Sequence, residues 1–202
     1  DSECISHLMA RSIHQDHINR LKDALSRVEG AFSVVAMTRT KLIGIRDPRG
    51  VRPLVLGKLG EGWVLASETC ALDIVGAEHV REIEPGEMIV IGPEGIKSTF
   101  PFERTAPRPC IFEKVYFSRP DSILGGQSVY ETRRQIGIEL AKESPVEADL
   151  VCPVPDSGTP AAIGFSHESG IPYGMGIIRN SYMGRTFIEP TEQIRNMGVR
   201  LK

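Results

Sequence analysis

The chain has 202 residues, of which 41% are hydrophobic, 25% are charged and four are cysteines. This composition predicts a folded protein with a buried core and excludes disordered and fibrous classes. A net charge of −2 argues against a general nucleic-acid-binding protein. No apolar run is long enough to cross a membrane and the first residues carry no export signal, so we expect a cytoplasmic protein with neither a membrane nor a nucleic-acid partner.

Two helices are predicted at the start of the chain. The first carries an apolar stripe at Ile5, Leu8, Met9 and Ile13. The second begins after Asp16, a good N-cap residue, and has an apolar face formed by Ile18, Leu21, Leu25 and Val28. Because residue 1 is Asp and the helical pattern begins at once, we expect an internal fragment of a longer protein.

From residue 31 the pattern changes to short β-rich runs. These runs lie at 31–38, 41–47, 53–58, 62–68, 80–84, 87–92 and 95–99, with a short helix at 69–75. Their spacing and the turn signals between them predict an antiparallel meander with the opening helices on one face. Three prolines in 100–109 indicate a linker. We therefore predict two domains, residues 1–108 and 109–202.

After the linker, strands and helices alternate. Strands are predicted at 110–118, 149–155 and 173–178, and helices at 128–143 and from Thr159 onward. This order is typical of a parallel α/β sheet. The predicted fold class is thus α+β followed by α/β.

The loop after the predicted strand 149–155 is the first candidate site. It reads Asp156-Ser157-Gly158-Thr159, with Thr159 as the predicted helix cap and Pro160 at the first helical position. Free amides at a helix start, together with two hydroxyl groups, would suit a phosphate. A well-capped turn without a ligand explains the same residues, and both interpretations stay open.

The basic segment 179–202 is the second candidate site. It contains five Lys or Arg residues and two Glu residues. Arg179, Arg185, nearby amide and hydroxyl groups and the permissive Gly184 could close over a bound phosphate. An exposed basic loop is the alternative.

Other residues give weaker signals. The cysteines are scattered and show no complete metal site, and Cys110 by itself indicates a small buried side chain at the head of a strand. The histidines have no companion at a catalytic spacing. Asp47 is expected to stabilise a turn, and Ser67-Glu68-Thr69 is expected to cap a helix.

Seven strings carry a resemblance to a known family: AFSVVAMT, IRDPRGVRPLVLGK, VLASETCALD, PGEMIVI, VYFSRPDS, PVPDSG and YMGRTFIEP. Over essentially all of its residues the chain resembles the amidophosphoribosyltransferases, also called glutamine phosphoribosylpyrophosphate (PRPP) amidotransferases. VYFSRPDS and GRTFI are specific to this family among glutamine amidotransferases, whereas RDPRGVRPL also occurs in relatives with other acceptor domains.

The resemblance implies part of an N-terminal-nucleophile glutaminase domain, a four-layer αββα sandwich, followed by the first part of a type I phosphoribosyltransferase parallel sheet. In this family an N-terminal cysteine hydrolyses glutamine. The ammonia then displaces pyrophosphate from PRPP and gives 5-phosphoribosylamine, in the first committed step of purine synthesis. That nucleophile would lie upstream of residue 1, so the chain itself is expected to contain no catalytic residue and to be inactive.

The resemblance also assigns binding residues. Asp1 would bind the amino group of glutamine. PRPP would be bound by Asp156, Ser157, Gly158, Arg179, Asn180, Tyr182, Gly184, Arg185 and Thr186, while Ser181 stands where the family usually has Arg. Purine nucleotide inhibitors would bind at Tyr116, Ser118, Arg119 and Arg133, with the two arginines on the phosphate.

Cofactors and assembly follow from the same resemblance. Ser157 would lie near Mg²⁺, and Cys110 matches the first ligand of a [4Fe–4S] cluster that one branch of the family carries. The complete protein would be a homo-oligomer, a tetramer. Two alternatives stay open: another N-terminal-nucleophile amidotransferase such as a hexosamine synthase, and a non-catalytic regulator that binds purine nucleotides.

Overall fold

The computed structural model describes residues 2–182 and 184–201. Contacts divide the chain into two compact units, Asp1–Val129 and Tyr130–Lys202. Residues 109–129 therefore pack with the first unit. A division by contacts need not fall at the boundary between the glutaminase and phosphoribosyltransferase domains, so the boundary at 108/109 stays a prediction. Among the described residues, no helix is both long and apolar enough to cross a membrane.

Two helices open the first unit, as predicted: α1 (Ser2–Ala10) and α2 (His17–Ser26). Asp16 is the N-cap residue of α2, and its carboxylate accepts a hydrogen bond from the N–H of Asn19 at 2.9 Å. The predicted place of Ile13 on the apolar stripe of the first helix is wrong. Because α1 ends at Ala10, Ile13 lies outside the helix and is 91% exposed.

Each of the seven predicted strands forms, and so does the short helix between them. Their bounds are β1 (Ser33–Met37), β2 (Leu42–Arg46), β3 (Val55–Leu59), β4 (Gly62–Ala66), α3 (Thr69–Val75), β5 (Glu78–Glu82), β6 (Met88–Gly92) and β7 (Gly95–Thr99). The predicted single meander is wrong, because the strands form two antiparallel sheets of order β1-β2-β6-β7 and β4-β3-β5.

Burial explains why two sheets form. Consecutive residues are buried in β2, over Ile43–Arg46, and in β3, over Val55–Gly57. Successive side chains of a strand point to opposite faces, so both faces of each sheet must be covered. One meander with helices on a single face cannot provide that cover.

Three hydrophobic clusters join four layers. The first lies between α1/α2 and the four-stranded sheet and includes Leu21, Leu25, Ile43, Ile45 and Met88. The second lies between the sheets and includes Leu54, Leu56, Ile83 and Ile89. The third lies between the three-stranded sheet and α3 and includes Val55, Leu72 and Ala77. The layer order is αββα, which confirms the sandwich implied by the resemblance.

The proline-rich segment 100–109 has no regular secondary structure but lies against the first unit. The ring of Phe102 packs edge-on against Phe32, with 5.7 Å between the centroids. The N–H of Arg108 donates to the carbonyl of Arg49 at 2.7 Å. The segment is therefore a docked connection rather than a free linker.

The strand predicted at 110–118 is wrong, because this segment is helical. A π-helical turn covers Glu113–Phe117 and is closed by the N–H of Ser118 donating to the Glu113 carbonyl at 3.0 Å. The polar Glu113 is the buried residue here, whereas Tyr116 and Phe117 are more than half exposed. This burial pattern is the reverse of what an apolar strand requires. A short hairpin follows, with β8 (Ile123–Leu124) and β9 (Gln127–Ser128).

The second unit contains both predicted helices, α4 (Val129–Glu143) and α5 (Thr159–Ser169). The predicted parallel strands are wrong as extended elements: among the described residues they pair at one parallel bridge, Val151 with Tyr173. Prolines at 153 and 155 have no N–H to donate to a longer ladder.

Candidate functional site

The loop before α5 holds three of the predicted PRPP residues, Asp156–Gly158. Gly158, and not Thr159 as predicted, is the N-cap residue of α5, and no side chain caps this helix in the part of the chain described. The N–H of Gly158 donates to the Val154 carbonyl at 3.2 Å, and the N–H of Thr159 donates to the Asp156 carbonyl at 3.3 Å. These two amides stabilise the loop itself, so the predicted cradle of free amides does not include them.

An ion pair brings together the two candidate segments. Nη1 of Arg179 lies 2.7 Å from Oδ2 of Asp156, and the side chains are 45% and 74% exposed respectively. Exposed ion pairs contribute about 0–1 kcal/mol. A phosphate group can therefore replace the Asp156 carboxylate at Arg179 at little cost.

Beyond Arg179, the basic segment carries exposed candidate residues. Tyr182 is 99% exposed, and Gly184 and Arg185 are also exposed. Asn180 makes one distant and one local contact: its side-chain nitrogen donates to the Leu201 carbonyl, 21 residues further along, at 2.8 Å, and its side-chain oxygen accepts from the N–H of Tyr182. Thr186 begins a short 3₁₀ helix, Thr186–Ile188.

The expected loop at 179–202 ends in a helix that the sequence analysis missed, α6 (Glu192–Leu201). Thr191 caps its start: the hydroxyl oxygen accepts from the N–H of Ile194 at 3.3 Å. Glu192 lies in the first turn and Arg200 in the last, the charge order that the helix dipole favours. The Thr-Glu pair after Pro190 was the sequence signal for this helix.

The predicted nucleotide residues lie in different surroundings. Tyr116 is exposed, whereas Ser118 is buried and its hydroxyl donates to Oε2 of Glu113 at 3.1 Å. Arg119 is exposed, and Asp121 accepts hydrogen bonds from its guanidinium at 2.7 and 3.1 Å. This contact with Asp121 raises the pKa of the Arg119 guanidinium. Arg133 is buried on α4 in the second unit.

Sequence reasoning missed two acidic residues next to the nucleotide candidates. Glu113 is 6% exposed and lies 2.6 Å from Nε of Arg52. Glu68, predicted to cap α3, makes no side-chain cap bond and instead contacts the segment at Arg119. A lone Glu inside the apolar run at 111–117 was the available signal for Glu113. Glu68 had no signal, because its partner lies 51 residues further along the chain.

Cys110 is partly exposed and lines a cavity of about 260 Å³ together with Arg46, Glu82 and Glu113. Cys152, which lies within the predicted strand 149–155, is exposed. Within residues 2–182 and 184–201, no three His, Cys, Asp or Glu side chains cluster to hold a metal ion. A [4Fe–4S] cluster needs four ligands, so these residues do not fit one by themselves.

Asp1, the predicted glutamine ligand, lies outside the described residues.

The comparison with protein families indicates the general class of protein, the glutamine amidotransferases. Residues 1–73 match the family model described as a glutamine amidotransferase domain. This match falls within the αββα unit.

The curated relatives are more specific. The chain is 56% identical over 207 aligned residues to the amidophosphoribosyltransferase of Rhizobium etli, covering 100% of this chain and 42% of the relative. It is 52% identical to the amidophosphoribosyltransferase of Mycobacterium tuberculosis, covering 100% of this chain and 38% of the relative. The chain thus spans about two fifths of the length of these relatives. The similarity to amidophosphoribosyltransferases predicted from the sequence is confirmed.

A solved structure supports the same similarity to amidophosphoribosyltransferases. The glutamine PRPP amidotransferase of B. subtilis, complexed with ADP and GMP, superposes with a TM-score of 0.90 at 48% identity and covers 100% of this chain and 44% of that one. The likeness therefore extends beyond residue 73, through both compact units.

Proposed function

We propose that this chain is part of an enzyme that makes 5-phosphoribosylamine from PRPP and glutamine, the first committed step of purine synthesis. The observation that carries the proposal is the 56% identity over the whole chain, which continues beyond the glutamine amidotransferase match at 1–73. A hexosamine synthase would share the first part only.

The residues of the second unit suit the transfer half of this reaction. Ammonia attacks the anomeric carbon of PRPP, and pyrophosphate leaves with the bonding electron pair. In the proposal, Ser157 binds the phosphate groups next to the start of α5, and Arg179 exchanges Asp156 for a phosphate oxygen. Arg185 closes over the substrate as a bidentate anion ligand and helps to exclude water.

Two cofactors belong to the proposal. Mg²⁺ commonly binds through substrate phosphates with few protein ligands, so the partly exposed Ser157 hydroxyl fits a contact with it. The ion would neutralise charge on the leaving pyrophosphate. For the [4Fe–4S] cluster, Cys110 would supply one thiolate, and the other three would have to come from outside this chain.

Regulation, assembly and location complete the proposal. Purine nucleotides inhibit the enzyme by binding at Tyr116, Ser118, Arg119 and Arg133, with the arginines on the phosphate. The solved B. subtilis relative, complexed with ADP and GMP, supports nucleotides as ligands. The enzyme works as a homotetramer in the cytoplasm.

The test uses the protein encoded by the complete reading frame that contains this sequence. We expect it to release glutamate and pyrophosphate in equal amounts when both glutamine and PRPP are present. Glutamate release that depends on a hexose phosphate instead of PRPP would favour the hexosamine synthase. Tight nucleotide binding without turnover of either substrate would favour a non-catalytic regulator.

A further inference from the structure

The carboxylate of Glu68 connects two distant parts of the chain. Glu68 immediately precedes α3, yet its side chain makes no bond to the helix start. Its Oε2 atom instead accepts a hydrogen bond from the N–H of Arg119 at 2.8 Å and another from the hydroxyl of Ser122 at 2.8 Å. Such charge-assisted hydrogen bonds are stronger than neutral ones.

Two neighbouring side chains reinforce this contact. The hydroxyl of Thr69 accepts from the N–H of Ile123 at 2.9 Å, and Oε1 of Glu82 accepts from the N–H of Gly125. Ser122 itself is fully buried. Side chains at positions 68, 69 and 82 thus fix three backbone N–H groups of the segment 119–125, which otherwise forms a short turn and the two-residue strand β8.

The hydrogen bond to Glu68 holds the backbone of Arg119 and leaves its guanidinium at the surface. That guanidinium pairs with Asp121, and both side chains are more than half exposed. An exposed pair is weak and can exchange its carboxylate for a phosphate. The backbone position of Arg119 is held by Glu68, whereas its side chain can change partner.

We infer that Glu68 is a positioning residue for nucleotide binding: it holds the 119–122 turn so that Arg119 is directed at the nucleotide phosphate. The inference rests on the proposed role of Arg119. Because Glu68 lies within the match to the glutamine amidotransferase domain at 1–73, nucleotide affinity would depend on a side chain of the glutaminase part. The apparent dissociation constant equals the intrinsic one divided by the fraction of protein with the turn in place.

The test measures GMP binding to the complete enzyme by titration calorimetry. Glu68→Ala removes both hydrogen bonds, and we expect the dissociation constant for GMP to rise at least about tenfold. Glu68→Gln keeps an oxygen that accepts hydrogen bonds but loses the charge, so a rise of about two- to fivefold is expected. Asp73→Asn, which removes one exposed carboxylate from α3, is the matched control and should bind GMP like the wild type.

A double-mutant cycle separates positioning from general destabilisation. Ser122→Ala removes one of the two donors to Glu68, so the effects of Ser122→Ala and Glu68→Gln should be non-additive. Glutamine hydrolysis without PRPP should be unchanged in both variants. Wild-type affinity for GMP in the folded Glu68 variants would overturn the inference and leave the proposed function intact. A wild-type enzyme that binds no GMP would overturn the proposed nucleotide site and the inference with it.

Discussion

Glu87 shows how a single buried carboxylate stabilises the first unit. Its side chain is 1% exposed and accepts hydrogen bonds from both terminal nitrogens of Arg81 at 2.8 and 2.6 Å, from the hydroxyl of Ser98 at 2.7 Å and from the N–H of Glu84 at 2.8 Å. Burial alone would raise the pKa of Glu87. The hydrogen bonds from Arg81, Ser98 and Glu84 outweigh burial, and the pKa is lowered.

A lowered pKa in the folded state gives stability at neutral pH that is lost as the pH falls through the folded-state pKa. We expect Glu87→Gln to lower the free energy of unfolding by about 2–4 kcal/mol at pH 7, because Arg81 loses its charged partner. The difference from the wild type should shrink below about pH 4. Urea unfolding at several pH values measures this. Glu94→Gln, which breaks the exposed pair with Lys97, is the control, and a similar loss in that variant would contradict the prediction.

Arg185 is the second residue that mutagenesis can test. In the complete enzyme we expect Arg185→Ala to lower kcat/KM for PRPP at least about tenfold, because a neutral side chain cannot replace a charge-assisted contact with phosphate. Glutaminase activity without PRPP should change little. Arg200→Ala removes the same charge from the same basic segment and serves as the control. Equal rates in the Arg185 variant and the wild type would show that Arg185 is an ordinary surface residue.

Among the elements, helices α4 and α5 approach unusually closely. A Cβ atom at Gly137 would lie 1.9 Å from the carbonyl oxygen of Ala161, and one at Gly164 would lie 1.9 Å from the carbonyl oxygen of Arg134. These distances are far below van der Waals contact, and the neighbours are backbone atoms that cannot rotate away. The two glycines therefore determine the separation of the helices.

We expect Gly137→Ala to destabilise the second unit by about 1–3 kcal/mol, because the helices must separate to admit the methyl group. Hydrogen–deuterium exchange of the amides in α4 and α5 should then become faster. The control is Glu139→Ala: Glu139 lies on the exposed side of the same helix, so this substitution should leave the exchange unchanged. Exchange as slow in the Gly137 variant as in the wild type would mean that the helices accommodate the methyl group without strain.

Local patterns predicted most elements of the first unit, and non-local pairing explains the errors. The apolar runs and turn residues gave β1 to β7 and α3 within a few residues. No local signal showed that β2 pairs with β6, since that contact depends on layers covering both faces of each sheet. The strand predicted at 110–118 failed because Glu113 is buried with Arg52, a contact between segments 61 residues apart.

At the scale of the whole molecule, the four cysteines belong to four separate segments of the chain. Cys4 belongs to α1, Cys70 to α3, Cys110 follows the proline-rich segment and Cys152 lies in the second unit. We expect the 202-residue chain to purify colourless and free of iron, because a cluster needs four converging thiolates. Iron analysis of the purified chain checks this, and stoichiometric iron would contradict it.

The candidate site was predicted in part. The sequence and the resemblance selected Asp156 and Arg179, and the structure brings these two side chains within 2.7 Å. Residue patterns could not show that the amides of Gly158 and Thr159 are engaged within their own loop, since this depends on how the chain turns after Val154. The role of Glu68 was missed for a different reason: its partners Arg119 and Ser122 are distant in sequence.

The pairing of β2 with β6 has a consequence during synthesis on the ribosome. The paired residues are more than 40 positions apart, so more than 40 residues are added between the moment at which β2 leaves the exit tunnel and the moment at which β6 does. In that interval the apolar face and one hydrogen-bonding edge of the β1–β2 hairpin are open to other chains. A nascent polypeptide of this sequence should therefore need chaperone protection until β6 emerges, and slowing translation between the two strands should increase aggregation.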